Sequence, residues 1–275
     1  MTFSDEQLER YARHIILREV GGTGQAALMN ARVLVVGAGG LGAPMLMYLA
    51  AAGVGTLGIV DDDTVELSNL QRQIIHATPD IGASKAANAA RRIADLNPDV
   101  SVNIHSVRLD AENAETLIAG YDIVADGSDN FATRHRVADT CVALDKTLVS
   151  AALGPFEGQV STFKPHASKP DTCPPLPCYR CFIPQPPEDD SERTCSDRGI
   201  LGAVAGVVGS LQALEVLKEI TGVGDSLAGR LMLFDALTMT SRTIDLPRDP
   251  ACPCCRDKGA NGNKVARGSK EKAEK

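Results

Sequence analysis

The sequence predicts an α/β fold, a doubly wound and mostly parallel sheet with helices on both faces. Three observations predict it. Short β-branched runs alternate with Ala- and Leu-rich helical stretches. The first run, Arg32 to Val36, ends in a glycine-rich turn that opens a helix. The second, Thr56 to Val60, ends in an acid, Asp61.

The elements follow in order. Ser4 with Gln7 three residues later is a capping-box pattern, so a helix is expected from Ser4 to about Leu28, interrupted at Gly21-Gly22. Arg32 to Val36 is a near-continuous apolar run, as a strand buried on both faces must be. Gly40 to Ala52 reads as helix and Thr56 to Val60 as strand. Lys85 to Leu96 reads as a helix that stops before Pro98. Val100, Val102 and Ile104 alternate like a strand. Tyr121 to Asp126 is another strand and Phe131 to Leu144 another helix. Leu148 to Ala152 and Gln159 to Phe163 are expected as strands. Residues 165–197 hold eight Pro and four Cys, so a long irregular loop is expected there, and such loops are usually functional. Helix resumes from Ile200 to Ile220. Leu231 to Phe234 and Thr240 to Leu246 are expected as late, antiparallel strands. Residues 1–256 read as one domain. Residues 257–275, rich in charge and poor in large apolar side chains, read as a disordered tail.

Composition narrows the function. The chain has 275 residues, 28 Lys and Arg against 35 Asp and Glu, and a net charge of −7. It lacks the basic footprint of a nucleic-acid binder. Its 44% hydrophobic and 23% charged content is that of a soluble globular protein. The polar start MTFSDEQLER lacks a signal-peptide pattern, and the apolar run Ile200 to Leu211 is too short to cross a bilayer. A cytoplasmic protein is expected. Eight Cys in such a chain point to metal or redox chemistry.

Four motifs carry chemistry. Gly37-Ala38-Gly39-Gly40-Leu41-Gly42, between strand and helix, is a nucleotide loop of Rossmann type. Glycines let the backbone approach a phosphate, and the helix N-terminus offers unpaired N–H groups. Asp61 lies where a ribose hydroxyl would be held. The stretch from Asp61 to Gln73 is polar and amide-rich, which suits a triphosphate better than a dinucleotide. Arg72 can bind phosphate bidentately and Lys85 can add a point charge. Asp126-Gly127-Ser128-Asp129-Asn130 ends a strand, where Asp129 suits Mg²⁺. Asp129 or Asn130 can equally cap the next helix. Cys178-x-x-Cys181 and Cys252-x-x-Cys255 together supply four thiolates, the tetrahedral set for structural Zn²⁺. Cys195, beside Arg193 and ahead of a helix, suits a thiolate nucleophile or a plain loop thiol. Cys141 reads as packed core. Cys173 and Cys254 have no assigned role. Arg10 and Arg13 share a helix face.

The segments GAGGLG, DDDTVELSNLQRQ, GASK, DGSDN, GPFEGQVSTF, CYRC and CPCC, in that order, resemble the ubiquitin-activating-type adenylyltransferases of the ThiF/MoeB/HesA family. The nearest likeness is to its molybdopterin-synthase adenylyltransferase branch. The resemblance implies an enzyme that uses Mg·ATP to adenylate the C-terminal Gly-Gly carboxylate of a ubiquitin-like sulfur carrier, releasing pyrophosphate. Sulfur would then come from a rhodanese or cysteine desulfurase, for molybdopterin, thiamine or cysteine biosynthesis. It also implies that Asp61 holds the ribose, with Asp62 as the alternative in the DDD segment. Asn69, Arg72 and Lys85 would contact phosphates, Asp129 would ligate Mg²⁺ and Arg134 would line the wall. Arg13 would reach into the partner's site, which implies a homodimer. Cys195 would link covalently to the carrier. A non-catalytic nucleotide-binding scaffold and an NAD-dependent oxidoreductase are the competing readings on the same fold.

Overall fold

The computed structural model describes residues 2–168, 175–186 and 199–258. One eight-stranded sheet organises it, in the order β3-β2-β1-β4-β5-β6-β7-β8. The parallel half comprises β1 (Arg32–Val36), β2 (Thr56–Val60), β3 (Ser101–His105), β4 (Ile123–Asp126) and β5 (Thr147–Leu153). The antiparallel half adds β6 (Glu157–Phe163), β7 (Arg230–Asp235) and β8 (Thr240–Asp245). The doubly wound architecture with late antiparallel strands is therefore as the alternating pattern predicts.

Side chains of β1 show why the parallel half reads as continuous apolar runs. Successive residues point to opposite faces. Val33 and Val35 join a core shared with α3 (Gly42–Ala51), α4 (Lys85–Leu96) and α8 (Gly202–Thr221). Leu34 and Val36 join a second core beneath α5 (Ala114–Ala119) and α6 (Phe131–Ala143). Both faces are dry, so the strand carries no polar alternation. Each such fully buried side chain contributes about 1.5–3 kcal/mol.

The N-terminal region departs from expectation. α1 (Asp5–Ile15) has the full capping box of Ser4 and Gln7, but it ends at Ile15. Gly21-Gly22 does not interrupt a helix; it begins α2 (Gly21–Asn30). The break falls in the turn at 16–20, where the Gly21 N–H bonds the Leu17 carbonyl at 2.8 Å and Gly21 takes φ +59°. α5 was not expected. It is short, and only Ala114 and Ile118 of its residues are buried, too few to set a period. Within the Pro-rich region, α7 (Tyr179–Phe182) is a single turn, and Pro165–Ala167 is a 3-10 turn. Lys258, assigned to the tail by sequence, is tied to the fold through Asp145 at 2.7 Å. The rest of the expected tail, 259–275, lies outside the described residues, as do Cys173 and Cys195.

α8 anchors the two halves of the sheet. Its Gln212 donates to the carbonyls of Asp126 (2.9 Å) and Val149 (3.0 Å), tying it to β4 and β5. Its buried Glu215 accepts from Thr162 on β6 at 2.9 Å, from the Leu227 N–H at 2.5 Å and from Lys218 at 2.7 Å. A buried carboxylate persists only when its oxygens are satisfied in this way.

Candidate active site

The loops that follow β1, β2 and β4 enclose a cleft of about 930 Å³. In open α/β sheets the carboxyl ends of the strands are where ligands bind. Gly37, Gly39 and Gly40 line this cleft, while Gly42 sits behind them as the first residue of α3. Gly37 has φ +92°, which L side chains rarely adopt. A Cβ on Gly42 would overlap the Gly37 carbonyl oxygen, so the turn closes only around glycine there. The N-terminus of α3 thus faces the cleft, ready for an anion.

Asp61 stands at the end of β2 against this turn. Its Oδ2 accepts the Ala38 N–H at 2.7 Å and its Oδ1 accepts the Asp63 N–H at 2.9 Å. Burial pushes its carboxyl above the ordinary carboxylate value, outweighing the two hydrogen bonds that pull it down. Asp62 lies at the same rim and is exposed.

On one side of the cleft are Asn69, Arg72 and Lys85. Asn69 is buried in a 3-10 turn, its Oδ1 accepting the Glu66 N–H at 3.3 Å. Arg72 donates through Nη1 to the Ser68 carbonyl at 3.0 Å. Lys85, at the start of α4, lies 2.7 Å from Asp63; the lysine side chain is 7% exposed and the aspartate 67%. The pair holds a cation in the cleft wall with its counterion at the surface. On the other side are Asp129, Asn130 and Arg134. Asp129 is exposed. Asn130 caps α6, its Oδ1 accepting the Thr133 N–H at 2.9 Å. Arg134 is buried and braces two strand ends, donating to the Ala151 carbonyl at 2.8 Å and to the Ser128 carbonyl. It shapes the wall through backbone contacts. Behind it, burial pushes the Asp126 carboxyl up, and the nearby Arg134 charge opposes that.

Sequence reasoning assigned no role to Gln73 or Ser128. Both line the cleft, and Gln73 Oε1 and Ser128 Oγ are buried without a hydrogen-bond partner among the described residues. It also missed a second cleft of about 720 Å³. That cleft is built by Glu157 and Gln159 of β6, Phe234 and Asp235 of β7, and Thr240 and Arg242 of β8. Asp129, Phe131, Arg134, Leu153 and Ile200 line both clefts, so the two share a wall. No local motif signals the second cleft, because its walls come from strands far apart in sequence.

Two of the remaining sequence candidates are not among the residues of this cleft. Arg13 is exposed on α1 and is not part of its own chain's cleft. Cys195 lies outside the described residues. The two Cys pairs do converge. The sulfur atoms of Cys178, Cys181, Cys252 and Cys255 all lie within 4.8 Å of one another. The Sγ–Sγ distances are 3.9 Å (178–181), 3.6 Å (178–252) and 3.5 Å (181–255). Tetrahedral Zn²⁺ at its usual ~2.3 Å from each sulfur requires about 3.8 Å between sulfurs. The cluster could hold a metal ion, and it clips α7 to the segment after β8. Hydrogen bonds to the neighbouring thiols, that to Cys181 first, push the Cys178 thiol up, and burial adds to this. Cys254 is not one of the four. Its thiol lies 3.6 Å from Asp139 of α6, which also takes both arms of Arg180 at 2.7 Å.

Comparison with known proteins places these features. The model of the ThiF family matches residues 11–254. A sulfur carrier protein adenylyltransferase of Thermus thermophilus is 47% identical over 94% of this chain and 94% of its own. A SAMP-activating enzyme of Haloferax volcanii is 47% identical over 93% of this chain and 91% of its own. A probable adenylyltransferase/sulfurtransferase, MoeZ of Mycobacterium tuberculosis, is 48% identical over 91% of this chain, which spans 63% of that longer protein. Among solved structures, E. coli MccB with ATP has a TM-score of 0.76 at 22% identity, covering 90% of this chain and 74% of that one. PaaA has a TM-score of 0.73 at 23% identity, covering 89% and 75%. These two share the fold.

Proposed function

The chain belongs to the ThiF family, and from that premise we propose that it is an adenylyltransferase that activates the C-terminal Gly-Gly carboxylate of a ubiquitin-like sulfur carrier. The observation that carries this reading is the pair of clefts sharing one wall at Asp129 and Arg134. One cleft has the glycine turn, cations and acid that suit ATP. The other lies against β6, β7 and β8 and offers room to the extended tail of a partner protein. Glu157 and Arg242 in its walls offer polar partners to the tail's backbone.

A carboxylate is a poor acyl donor because its leaving group would be oxide. In the proposed reaction a carboxylate oxygen attacks the α-phosphorus of ATP, the bond to the β-phosphate bridging oxygen breaks, and pyrophosphate leaves. The product is an acyl-adenylate, whose leaving group is AMP. No base is required, since the terminal carboxylate is ionised at neutral pH. Both reactants are anionic, so catalysis rests on charge stabilisation and alignment. The glycine turn and α3 N-terminus hold phosphate, Arg72, Asn69 and Lys85 contact phosphate oxygens, and Asp61 or Asp62 fixes the ribose. Mg²⁺ would be held by the exposed Asp129 carboxylate, a hard oxygen ligand, and would supply positive charge to offset that of the phosphates. Zn²⁺ fits the four-sulfur cluster and is structural, because the protein fills all four positions.

Arg13 supports a homodimer. It is exposed, as are Leu8, Ile16 and Leu17 near it in sequence, and apolar exposure of this kind favours burial against a second copy. The arginine then completes the partner's site. The exposed Leu237 (73%) and Met239 (77%) precede Thr240 and Arg242 of the second cleft, which favours docking of the carrier there. Cys195 is proposed as the thiol that links to the carrier, with sulfur supplied by a rhodanese or cysteine desulfurase. No helix among the described residues is long and apolar enough to cross a membrane; a cytoplasmic site agrees with thiols held as metal ligands.

ATP–pyrophosphate exchange with Mg²⁺, run against a panel of Gly-Gly-ended carriers, tests the proposal. Exchange with a carrier supports adenylation and names the pathway among molybdopterin, thiamine and cysteine biosynthesis. ATP binding without exchange for any carrier overturns it in favour of a nucleotide-binding scaffold.

A further inference from the structure

We infer that His76 is a positioning residue for the nucleotide turn, acting through the Ala38 carbonyl as a neutral imidazole protonated at Nε2. The inference rests on the reading that this turn binds ATP.

The geometry fixes each atom. His76 is buried, 6% exposed, in the segment between the Asn69 turn and α4. Its Nε2 lies 3.2 Å from the Ala38 carbonyl oxygen, and its Nδ1 lies 2.7 Å from Asn88 Nδ2 on α4. The orientation of the Asn88 amide is set from outside. Arg91 donates to Asn88 Oδ1 at 2.7 Å and to Asp80 Oδ1 at 2.8 Å, and Asp80 Oδ2 accepts the Ala77 N–H at 2.8 Å. With its oxygen taken by Arg91, the amide can only donate to His76. Nδ1 must then accept, so the proton sits on Nε2 and is donated to Ala38. Ala38 is thus gripped at both its polar groups, its N–H by Asp61 and its carbonyl by His76. It is flanked by Gly37 and Gly39, which have no side chains to hold the turn in place. The motif leaves its own glycine turn free to approach a phosphate, and His76 supplies the rigidity.

Protonating the ring would place Nδ1–H against the Asn88 amide N–H groups and force that amide to turn away from Arg91. Burial holds the His76 ring below its ordinary value of 6.5, the Ala38 hydrogen bond opposing that shift; Lys85 lowers it further and Asp80 raises it. The folded state therefore favours the neutral ring. Its contribution is fully present above pH 6.5 and is lost as pH falls from that value toward the depressed folded one.

His76→Leu removes the donor, whereas His76→Gln restores an N–H near the Nε2 position. ATP binding, measured by calorimetry on the full chain without carrier, is expected to weaken about 3–10-fold in His76→Leu, the usual net worth of one hydrogen bond. His76→Gln should recover most of that loss. As pH falls below the ordinary imidazole value of 6.5, wild-type affinity should fall more steeply than that of His76→Gln. As a readout independent of folding variants, nitrogen-15 NMR of the wild-type chain should show the Nε2–H tautomer at neutral pH. An Nδ1–H tautomer, or equal ATP affinity in wild type and His76→Leu, would overturn the inference while leaving the nucleotide site intact. Failure of the wild type to bind ATP would overturn the nucleotide-site reading and this inference with it.

Discussion

Arg134 shows how a residue's role changes when its partners are visible. The family resemblance implies that it lines the wall of the ATP site. It does line the cleft, but its guanidinium is directed at the Ser128 and Ala151 carbonyls. Arg134→Met keeps the aliphatic stem and removes both bonds. Two carbonyls lose their partner, so unfolding free energy should drop by about 1–3 kcal/mol, read by denaturant titration. Lys85→Met acts differently. It removes a cation from the cleft while its partner Asp63 remains in water, so stability should change by under ~1 kcal/mol. Exchange activity should instead fall by about 10²-fold or more, as expected when a charge-stabilising donor is lost. That Asp61, Asn69, Arg72 and Asp129 belong to one cleft was legible because charge, residue type and position after a strand carry that chemistry. Gln73, Ser128 and His76 were not, because a buried amide, hydroxyl or imidazole looks in sequence like any other.

Among the elements, strands and long helices were legible to within a few residues, since burial on both faces leaves a continuous apolar run and burial on one face imposes a period. The 16–20 break and α5 were not, because turn geometry and single-residue packing decide them. α8 carries the test at this scale. Gly209 sits where α8 crosses the start of α3; a Cβ would stand 2.5 Å from the Leu41 carbonyl and 2.6 Å from Pro44 Cγ. Neither the backbone nor the proline ring can yield cheaply. Gly209→Ala should cost about 1–3 kcal/mol of stability. Because Leu41 ends the nucleotide turn, the same change should weaken ATP binding, whereas Gly206→Ala, which meets nothing within 4 Å one turn away, should do neither.

At the scale of the whole molecule, the dimer reading makes a quantitative claim. Arg13→Ala and Asp129→Ala place the defect on opposite sides of a composite site. Each alone should be inactive in pyrophosphate exchange. Equal mixtures, allowed to exchange subunits, should recover about a quarter of wild-type activity, because half the dimers are mixed and one of their two sites is whole. Recovery near zero would place Arg13 in its own subunit's site, and full activity of Arg13→Ala alone would place it outside the reaction. The sulfur cluster makes a second claim: purified protein should carry about one Zn²⁺ per chain. Cys181→Ser should lower both zinc content and melting temperature.

The wall common to the two clefts has a thermodynamic meaning. Phe131 and Ile200 face both spaces, so whatever occupies one changes the surface offered to the other. Affinities for nucleotide and carrier tail are then linked, and by the same factor in each direction. A non-hydrolysable ATP analogue that tightens carrier binding fivefold, say, must itself bind about five times more tightly to the carrier complex. Replacing Phe131 by Ala should shrink that factor toward one. Substitutions confined to one space, such as Asp62→Ala or Arg242→Ala, should shift one affinity and leave the linkage as it was.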